Sequence, residues 1–225
     1  MEHLAAKPLF YIGPMPVDSY MVTMFAITLF LALICFLATK NIQKSPGKLQ
    51  NIVEMSVSGL NNFVADIMGP VKGRKFLPLL GTFFIFIFCS NYVGLLPFAG
   101  EVPGLASPTS TISVTATLAV LAFLATHISG FKYHKLHYFK HFITPFAFLL
   151  PLNIVEELVK PLSLSVRLYG NVYGDEAVIG TLFKMTHIGV PVLMSLLTVL
   201  LCLIQAFVFT LLTAIYIDGA TSEIE

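Results

Sequence analysis

The sequence predicts an all-α membrane protein with five transmembrane helices and one interfacial amphipathic helix, the last two helices being long and strongly tilted. Hydrophobic residues make up 56% of the chain and charged residues only 11%, whereas soluble proteins carry about 25% charged residues. Several apolar runs reach the roughly 20 residues that cross a membrane. One long apolar run contains Arg167, a side chain that stays protonated at physiological pH.

The spacing of the apolar runs divides a single membrane domain, residues 1–225, into successive elements. No cleavable signal is predicted, because the first long run begins only near Tyr20 and has no basic segment before it. In order, the elements are an external N-terminus (1–19), span 1 (20–39), an interfacial helix (49–69), span 2 (76–97), span 3 (112–130), a long span 4 (142–183), a long span 5 (186–217) and a cytoplasmic tail (218–225).

The segment 49–69 is predicted to lie in the membrane interface. Its apolar residues recur at helical spacing, from Leu49 through Val53 and Leu60 to Ile67, and polar residues fill the other side. Such a two-faced helix lies along a membrane rather than across it. The alternative is a polar loop whose periodicity is accidental.

The distribution of basic residues predicts the orientation. Segments 40–75 and 131–141 together carry nine lysines and arginines, whereas only Lys7 and Lys184 fall on the opposite side. Because basic residues are enriched in cytoplasmic loops, we expect the N-terminus outside. Five crossings then place the C-terminus in the cytoplasm.

The segment 142–183 leaves two alternatives. As one helix its 42 residues would be about 63 Å long, roughly twice the hydrocarbon thickness. Either the helix breaks at Pro151 or Pro161, or it is one long tilted or kinked element, which we favour. Two separate crossings would move the C-terminus to the outside.

A polar stripe marks one face of the fourth span. At about 100° per residue its members, separated by three or four positions, share that face. Lipid cannot satisfy such groups, so the stripe must face protein or water. The stripe consists of Glu156, Lys160, Ser163, Arg167, Asn171 and Gly174.

Two carboxylates and a glutamine extend the candidate site. Asp175 and Glu176 lie more than two turns beyond Arg167 and are expected near the outer end, where they could line a separate aqueous entry. Gln205 belongs to a milder stripe on the fifth span and is expected to neighbour Arg167 on a facing helix. That stripe consists of Ser195, Thr198, Cys202 and Gln205.

A fixed cation in such a stripe suits directional ion transfer. It favours the ionised form of a passing carboxylate, which must therefore release its proton or metal ion. No carboxylate of this chain is obviously placed opposite Arg167, so the carrier is expected on another subunit. The alternative is a structural ion pair of Arg167 with Glu156 or Glu157, and Glu156 is about 16 Å away along the helix axis.

Three segments resemble subunit a of F-type ATP synthase. Residues 160–171, KPLSLSVRLYGN, are similar to the signature of that family, residues 203–209, LIQAFVF, to its final helix, and residues 91–97, NYVGLLP, to the end of its second span. The likeness covers the chain from Tyr20 to Tyr216 in the same order.

The resemblance implies a stator channel beside a rotating ring of c subunits, with a b-type peripheral stalk, in a bacterial inner (plasma) membrane. Arg167 matches the essential arginine that separates two half-channels for H⁺ or Na⁺. Asn171, Glu176 and Gln205 match polar positions along the path. Asp175, Glu156 and Ser163 complete the candidate residues for ion translocation.

Two positions depart from the family pattern. Thr198 stands where some members carry a histidine, so the outer half-channel must rely on Glu176, Asp175 or water. Asp175 is an extra carboxylate beside Glu176. His187, in the turn between the last two spans, could touch the entry channel.

Other functions find little support in the sequence. No cofactor, metal site, nucleotide-binding loop or nucleic-acid-binding stripe is predicted, so the chain is not an enzyme by itself. The histidines at 134, 137 and 141 suit a lipid headgroup or stator contact better than a metal. The rival hypotheses are a purely architectural membrane subunit and a small secondary ion transporter.

Overall fold

The computed structural model describes residues 10–12, 15–40, 47–95, 106–134, 150–185 and 189–222. Helices dominate these ranges, which confirms the all-helical fold. The elements are strands β1 (Phe10–Ile12) and β2 (Met15–Val17), helices α1 (Ser19–Thr39), α2 (Lys48–Met68) and α3 (Pro70–Gly94), a 3₁₀ turn (Pro108–Ser110), and helices α4 (Ile112–His134), α5 (Leu150–Met185) and α6 (Gly189–Thr221). The strands pair antiparallel, Phe10 opposite Val17.

Helices α3, α4, α5 and α6 share the main hydrophobic core. Ile87 of α3, Leu118 of α4, Leu168 of α5 and Phe209 of α6 are buried together there. The ring centroids of Phe83 and Phe209 lie 5.8 Å apart, edge to face, a favoured aromatic geometry. This core fixes how α5 and α6, which carry the candidate site, lie beside one another.

Helix α2 is two-faced, as its sequence pattern predicted. Val64 and Met68 are buried against Leu80 of α3 and Ile217 of α6, whereas the polar residues Asn62 and Asp66 are exposed on the other side. The chain then turns into α3 at Gly69, whose φ of 77° lies in the region that glycine adopts without strain. The amphipathic helix is thus present, and its position in a membrane interface stays a prediction.

Several helix ends differ from the predicted bounds. Helix α3 begins at Pro70 rather than Phe76, because proline suits a first helical turn, and it ends at Gly94 rather than Pro97. Helix α4 extends to His134. Helix α6 extends to Thr221, so residues 218–221 of the predicted tail are helical.

Helix α5 runs from Leu150 to Met185 without a break at Pro161. Its 36 residues correspond to about 54 Å, well beyond the hydrocarbon thickness of about 30 Å. Residues 142–149 of the predicted fourth span lie outside the described residues. A long, tilted fourth span therefore fits the described part of the chain better than a helix broken at Pro161.

Four helices, α1, α3, α4 and α6, are long and apolar enough to cross a membrane. Helix α5 carries too many charged residues to be identified by composition, so the fifth crossing stays a prediction. The described bundle has two ends that matter below. We call the end with Gly94, Ser107 and Ser110 the turn end, and the end where Lys72 contacts Asp218 the tail end.

Candidate functional site

Arg167 lies near the middle of α5 and is exposed on the surface of the bundle. Its neighbours Leu164 and Leu168 are buried in the core, so the guanidinium is on the outward side of the helix. Among the described residues none forms a hydrogen bond or an ion pair with Arg167. The alternative of a structural ion pair with Glu156 or Glu157 is therefore not seen among the described residues.

Asn171 and Gln205 join α5 to α6 one turn beyond Arg167. The Asn171 Nδ2 atom donates a hydrogen bond to Gln205 Oε1 at 2.8 Å, and Gln205 is only 5% exposed. The sequence prediction made Gln205 a neighbour of Arg167, and its hydrogen bond instead goes to Asn171. The two amides occupy adjacent helices, as expected.

The stripe on α6 faces protein. Thr198, Cys202 and Gln205 are buried and Ser195 is half-buried. The hydrogen bond from Asn171 to Gln205 joins α5 to α6 in this region. We call the polar residues of the two helices here the polar seam, which consists of Asn171, Asp175, Glu176, Thr198, Cys202 and Gln205.

Glu176 lies at the turn end, partly buried, on the opposite side of α5 from Arg167. Its carboxyl group lies within reach of the Ser110 side chain, and the Ser110 hydroxyl donates a hydrogen bond to the Ser107 carbonyl oxygen at 2.8 Å.

A set of buried hydroxyl and amide groups continues from Ser107 toward α3. Ser107 Oγ lies 3.0 Å from Thr109 Oγ1, and Thr109 donates to Asn91 Oδ1 at 2.7 Å. Ser90, Asn91, Ser107 and Thr109 are each at most 2% exposed. Within the described part of the chain, Ser90 Oγ and Asn91 Nδ2 have no hydrogen-bond partner.

Sequence reasoning missed this buried set. The sequence around Pro108 is typical of an ordinary polar loop. Asn91 appears in the sequence analysis only as part of the segment that resembles the end of the family's second span. A polar side chain inside the apolar run of α3 was the available signal, since a buried amide needs partners. The partners lie 17 and 18 positions away in the chain, which no local periodicity reveals.

Lys160 and Glu156 of the predicted stripe belong to an ion-pair cluster away from the seam. Lys160 Nζ hydrogen-bonds Glu157 Oε1, lies 3.9 Å from Glu156 Oε1 and sits 5.6 Å from the Tyr216 ring centroid. His127 Nε2 of α4 is 4.0 Å from Glu157 Oε2. We call Lys160, Glu157, His127 and Tyr216 the inner cluster.

Of the remaining predicted residues, some lie within the described ranges and others outside them. Ser163 is half-buried on α5, and its neighbour Ser165 is buried, with its hydroxyl donating to Thr115 of α4 at 3.4 Å. His137, His141 and His187 lie outside the described residues. In the described ranges no three His, Cys, Asp or Glu side chains are close enough to hold a metal ion.

The arrangement separates three kinds of group along one helix. Within the described residues, Arg167 is an exposed cation without a partner near the middle of α5. Amide and carboxyl groups lie between α5 and α6, and an ion-paired cluster lies toward the start of α5. The fold and site define a helical membrane protein that holds polar side chains between two of its long helices.

Comparison with known proteins gives the family. The sequence profile described as "ATP synthase A chain" matches residues 20–218, and the chain belongs to this family. It is 40% identical over 218 residues to ATP synthase subunit a of Moorella thermoacetica, covering 96% of this chain and 97% of that one. It is 42% identical over 197 residues to ATP synthase subunit a 3 of Pelobacter propionicus, covering 86% and 83%.

Proposed function

We propose that this chain is the ion-translocating membrane subunit of an F-type ATP synthase, without catalytic activity of its own. The family supports the membrane-sector role, and the four apolar helices support a position in the lipid bilayer. Its partners in this proposal are the ring of c subunits and the b-type peripheral stalk. The coupling ion is H⁺ or Na⁺.

The observation that carries the proposal is the exposure of Arg167. A charged side chain at membrane depth costs about 2.5 kcal/mol or more unless a partner compensates it. The described part of this chain offers Arg167 no such partner. A carboxylate on another subunit, arriving at this surface, supplies the missing countercharge and gives up its ion in doing so.

The polar seam supports a half-channel on the turn-end side of Arg167. The Glu176 carboxyl group lies at the turn end beside Gly94 and Ser110, and Asn171 and Gln205 lie between that region and Arg167 along the helices. Buried polar groups in proteins pair with protein or with ordered water. The unpartnered Ser90 and Asn91 atoms therefore favour a hydrated path at this end.

A second half-channel opens toward the other end of α5 in this proposal. Glu156 is exposed there, with 69% of its side chain accessible, and Ser163 lies between it and Arg167 on the same helix. An ion that leaves the carrier carboxylate near Arg167 reaches solvent along this side. Arg167 prevents direct leakage, since its permanent charge repels cations between the two paths.

Arg167→Ala in the assembled complex tests the proposal. In reconstituted vesicles we expect ATP-driven ion pumping to be lost while the complex still assembles, because no countercharge remains to discharge the carrier. Val166→Ala is the matched control, since Val166 is an exposed neighbour on α5 whose truncation keeps the charge. Normal pumping by an assembled Arg167→Ala complex would favour the purely architectural role instead.

A further inference from the structure

We propose that Gly94 is a positioning residue for Glu176: the absence of a side chain at the end of α3 lets the Glu176 carboxyl group reach the hydroxyl groups of the turn end. An ideal Cβ built on Gly94 would lie 2.9 Å from Glu176 Oε1. It would also lie 3.0 Å from Ser107 Cβ and 3.3 Å from Ser107 Oγ. The inference rests on the proposed role of Glu176 in ion transfer.

A side chain at position 94 would force a neighbouring atom to move. Real Cβ atoms essentially never come within 3.0 Å of such an atom, so a methyl group at position 94 must displace its neighbour. The easiest atom to displace is the end of the flexible Glu176 side chain. Ser107 is less free to move, because its hydroxyl contacts the Ser90 carbonyl and Thr109 in a buried site.

The backbone conformation at position 94 does not by itself require glycine. Gly94 is the last residue of α3, and among the described glycines only Gly69 has a positive φ. Alanine fits such a helical position and is intrinsically preferred over glycine there. The missing side chain at position 94 is therefore explained by the close approach of Glu176 and Ser107.

Gly94→Ala separates positioning from folding. We expect the complex to assemble and ATP-driven pumping to fall about tenfold, since small displacements of a transfer group can cost that much or more. Gly81→Ala on the same helix is the matched control, because its ideal Cβ lies 3.9 Å from the nearest atom, Leu60 Cδ1. Pumping by Gly94→Ala equal to that of Gly81→Ala would overturn the inference.

Rescue by a shorter carboxyl side chain identifies Glu176 as the displaced group. Glu176→Asp is one methylene shorter and withdraws the carboxyl group from position 94. The double variant Gly94→Ala/Glu176→Asp should lose less activity than the product of the two single losses, as expected for residues in contact. If the double variant loses as much activity as that product or more, contact between the side chain at position 94 and Glu176 is not the cause of the Gly94→Ala defect.

Two further outcomes keep the inference testable. If Gly94→Ala does not assemble, assembly restored in the double variant supports it, and assembly still absent contradicts it. Glu176→Gln tests the underlying function separately: normal pumping in that variant means that Glu176 is not on the path, whatever Gly94 does. Loss of pumping in Glu176→Gln with normal pumping in Gly94→Ala rejects only the positioning role.

Discussion

At the scale of single residues, Arg167 differs in its surroundings from Lys72 and Lys160. Lys72 is paired with Asp218 of α6 and Lys160 with Glu157 of α5. Arg167 has no such partner in the described part of the chain. In the proposed function, a carboxylate of another subunit supplies that partner.

The substitution Arg167→Lys keeps the positive charge but replaces the guanidinium group with an ammonium group. The guanidinium is planar, weakly hydrated and permanently protonated, whereas a lysine ammonium is compact and can lose its proton when desolvated. We expect Arg167→Lys complexes to assemble and to show no coupled ATP synthesis in energised vesicles. Coupled synthesis near the wild-type rate would show that positive charge alone is sufficient.

At the scale of elements, the inner cluster ties three helices together. His127 of α4, Glu157 and Lys160 of α5 and Tyr216 of α6 contact one another in sequence. Glu157, Lys160 and Tyr216 flank a small cavity between these helices, lined also by Ala119 and Leu164. Such a cluster holds the first half of α5 against its neighbours, since removing one member of a buried pair leaves its partner uncompensated.

Two adjacent glutamates give a matched test of the inner cluster. Glu157 is 16% exposed and hydrogen-bonds Lys160, whereas Glu156 is 69% exposed. We expect Glu157→Gln to destabilise the subunit by about 1–2 kcal/mol, less than for a fully buried pair, and Glu156→Gln by less than about 0.5 kcal/mol.

Thermal unfolding of the detergent-solubilised complex measures the difference. Each kcal/mol corresponds to roughly 2–4 °C for a domain of this size, so Glu157→Gln should unfold several degrees below wild type. If the unfolding temperatures of the two variants shift equally, the burial of Glu157 contributes nothing to the stability of the subunit. Assembly of both variants is checked first by the amount of subunit recovered with the complex.

Sequence periodicity located the helices of the described ranges to within a few residues, because helix formation depends on local spacing. The polar face of α6 followed from the same rule, and Gln205 is buried as that rule requires. The partners were harder to predict. The closer ion-pair partner of Lys160 is Glu157, not Glu156. The hydrogen bond of Gln205 goes to Asn171, not to Arg167. Which of two neighbouring side chains forms the contact depends on side-chain length and on the rotation of the helix about its axis.

The turn end was not predictable from local pattern. Gly94, Asn91, Thr109 and Glu176 come from three separate segments, and their meeting depends on how α3, α5 and the Pro108 turn pack. A glycine at a helix end is usually assigned to backbone conformation. Only the packed structure shows that at Gly94 a neighbouring side chain occupies the space instead.

At the scale of the whole molecule, the two ends of the bundle carry different segments of the chain. The start of α1 lies at the turn end, where the Ala106 backbone N–H donates to Thr23 Oγ1. The end of α6 lies at the tail end, where Lys72 Nζ contacts the Thr221 carbonyl oxygen. The basic residues near α3 share that tail end, which favours its placement in the cytoplasm.

Cysteine labelling tests this orientation. A membrane-impermeant maleimide should modify Ser222→Cys only in inverted vesicles and Tyr11→Cys, at an exposed position, only in right-side-out vesicles. The unsubstituted chain is the control, because Cys35, Cys89 and Cys202 lie within helices. The reverse pattern would place the turn end in the cytoplasm, and labelling of both from one side would contradict the number of crossings.

Because α5 continues without a break past Pro161, Glu157, Lys160 and Glu176 all lie on one helix. About 24 Å of helix separates Lys160 from Glu176. We therefore expect loss of the Glu157 carboxylate, which helps to hold the first half of this helix, to misalign the distant Glu176 carboxyl group as well.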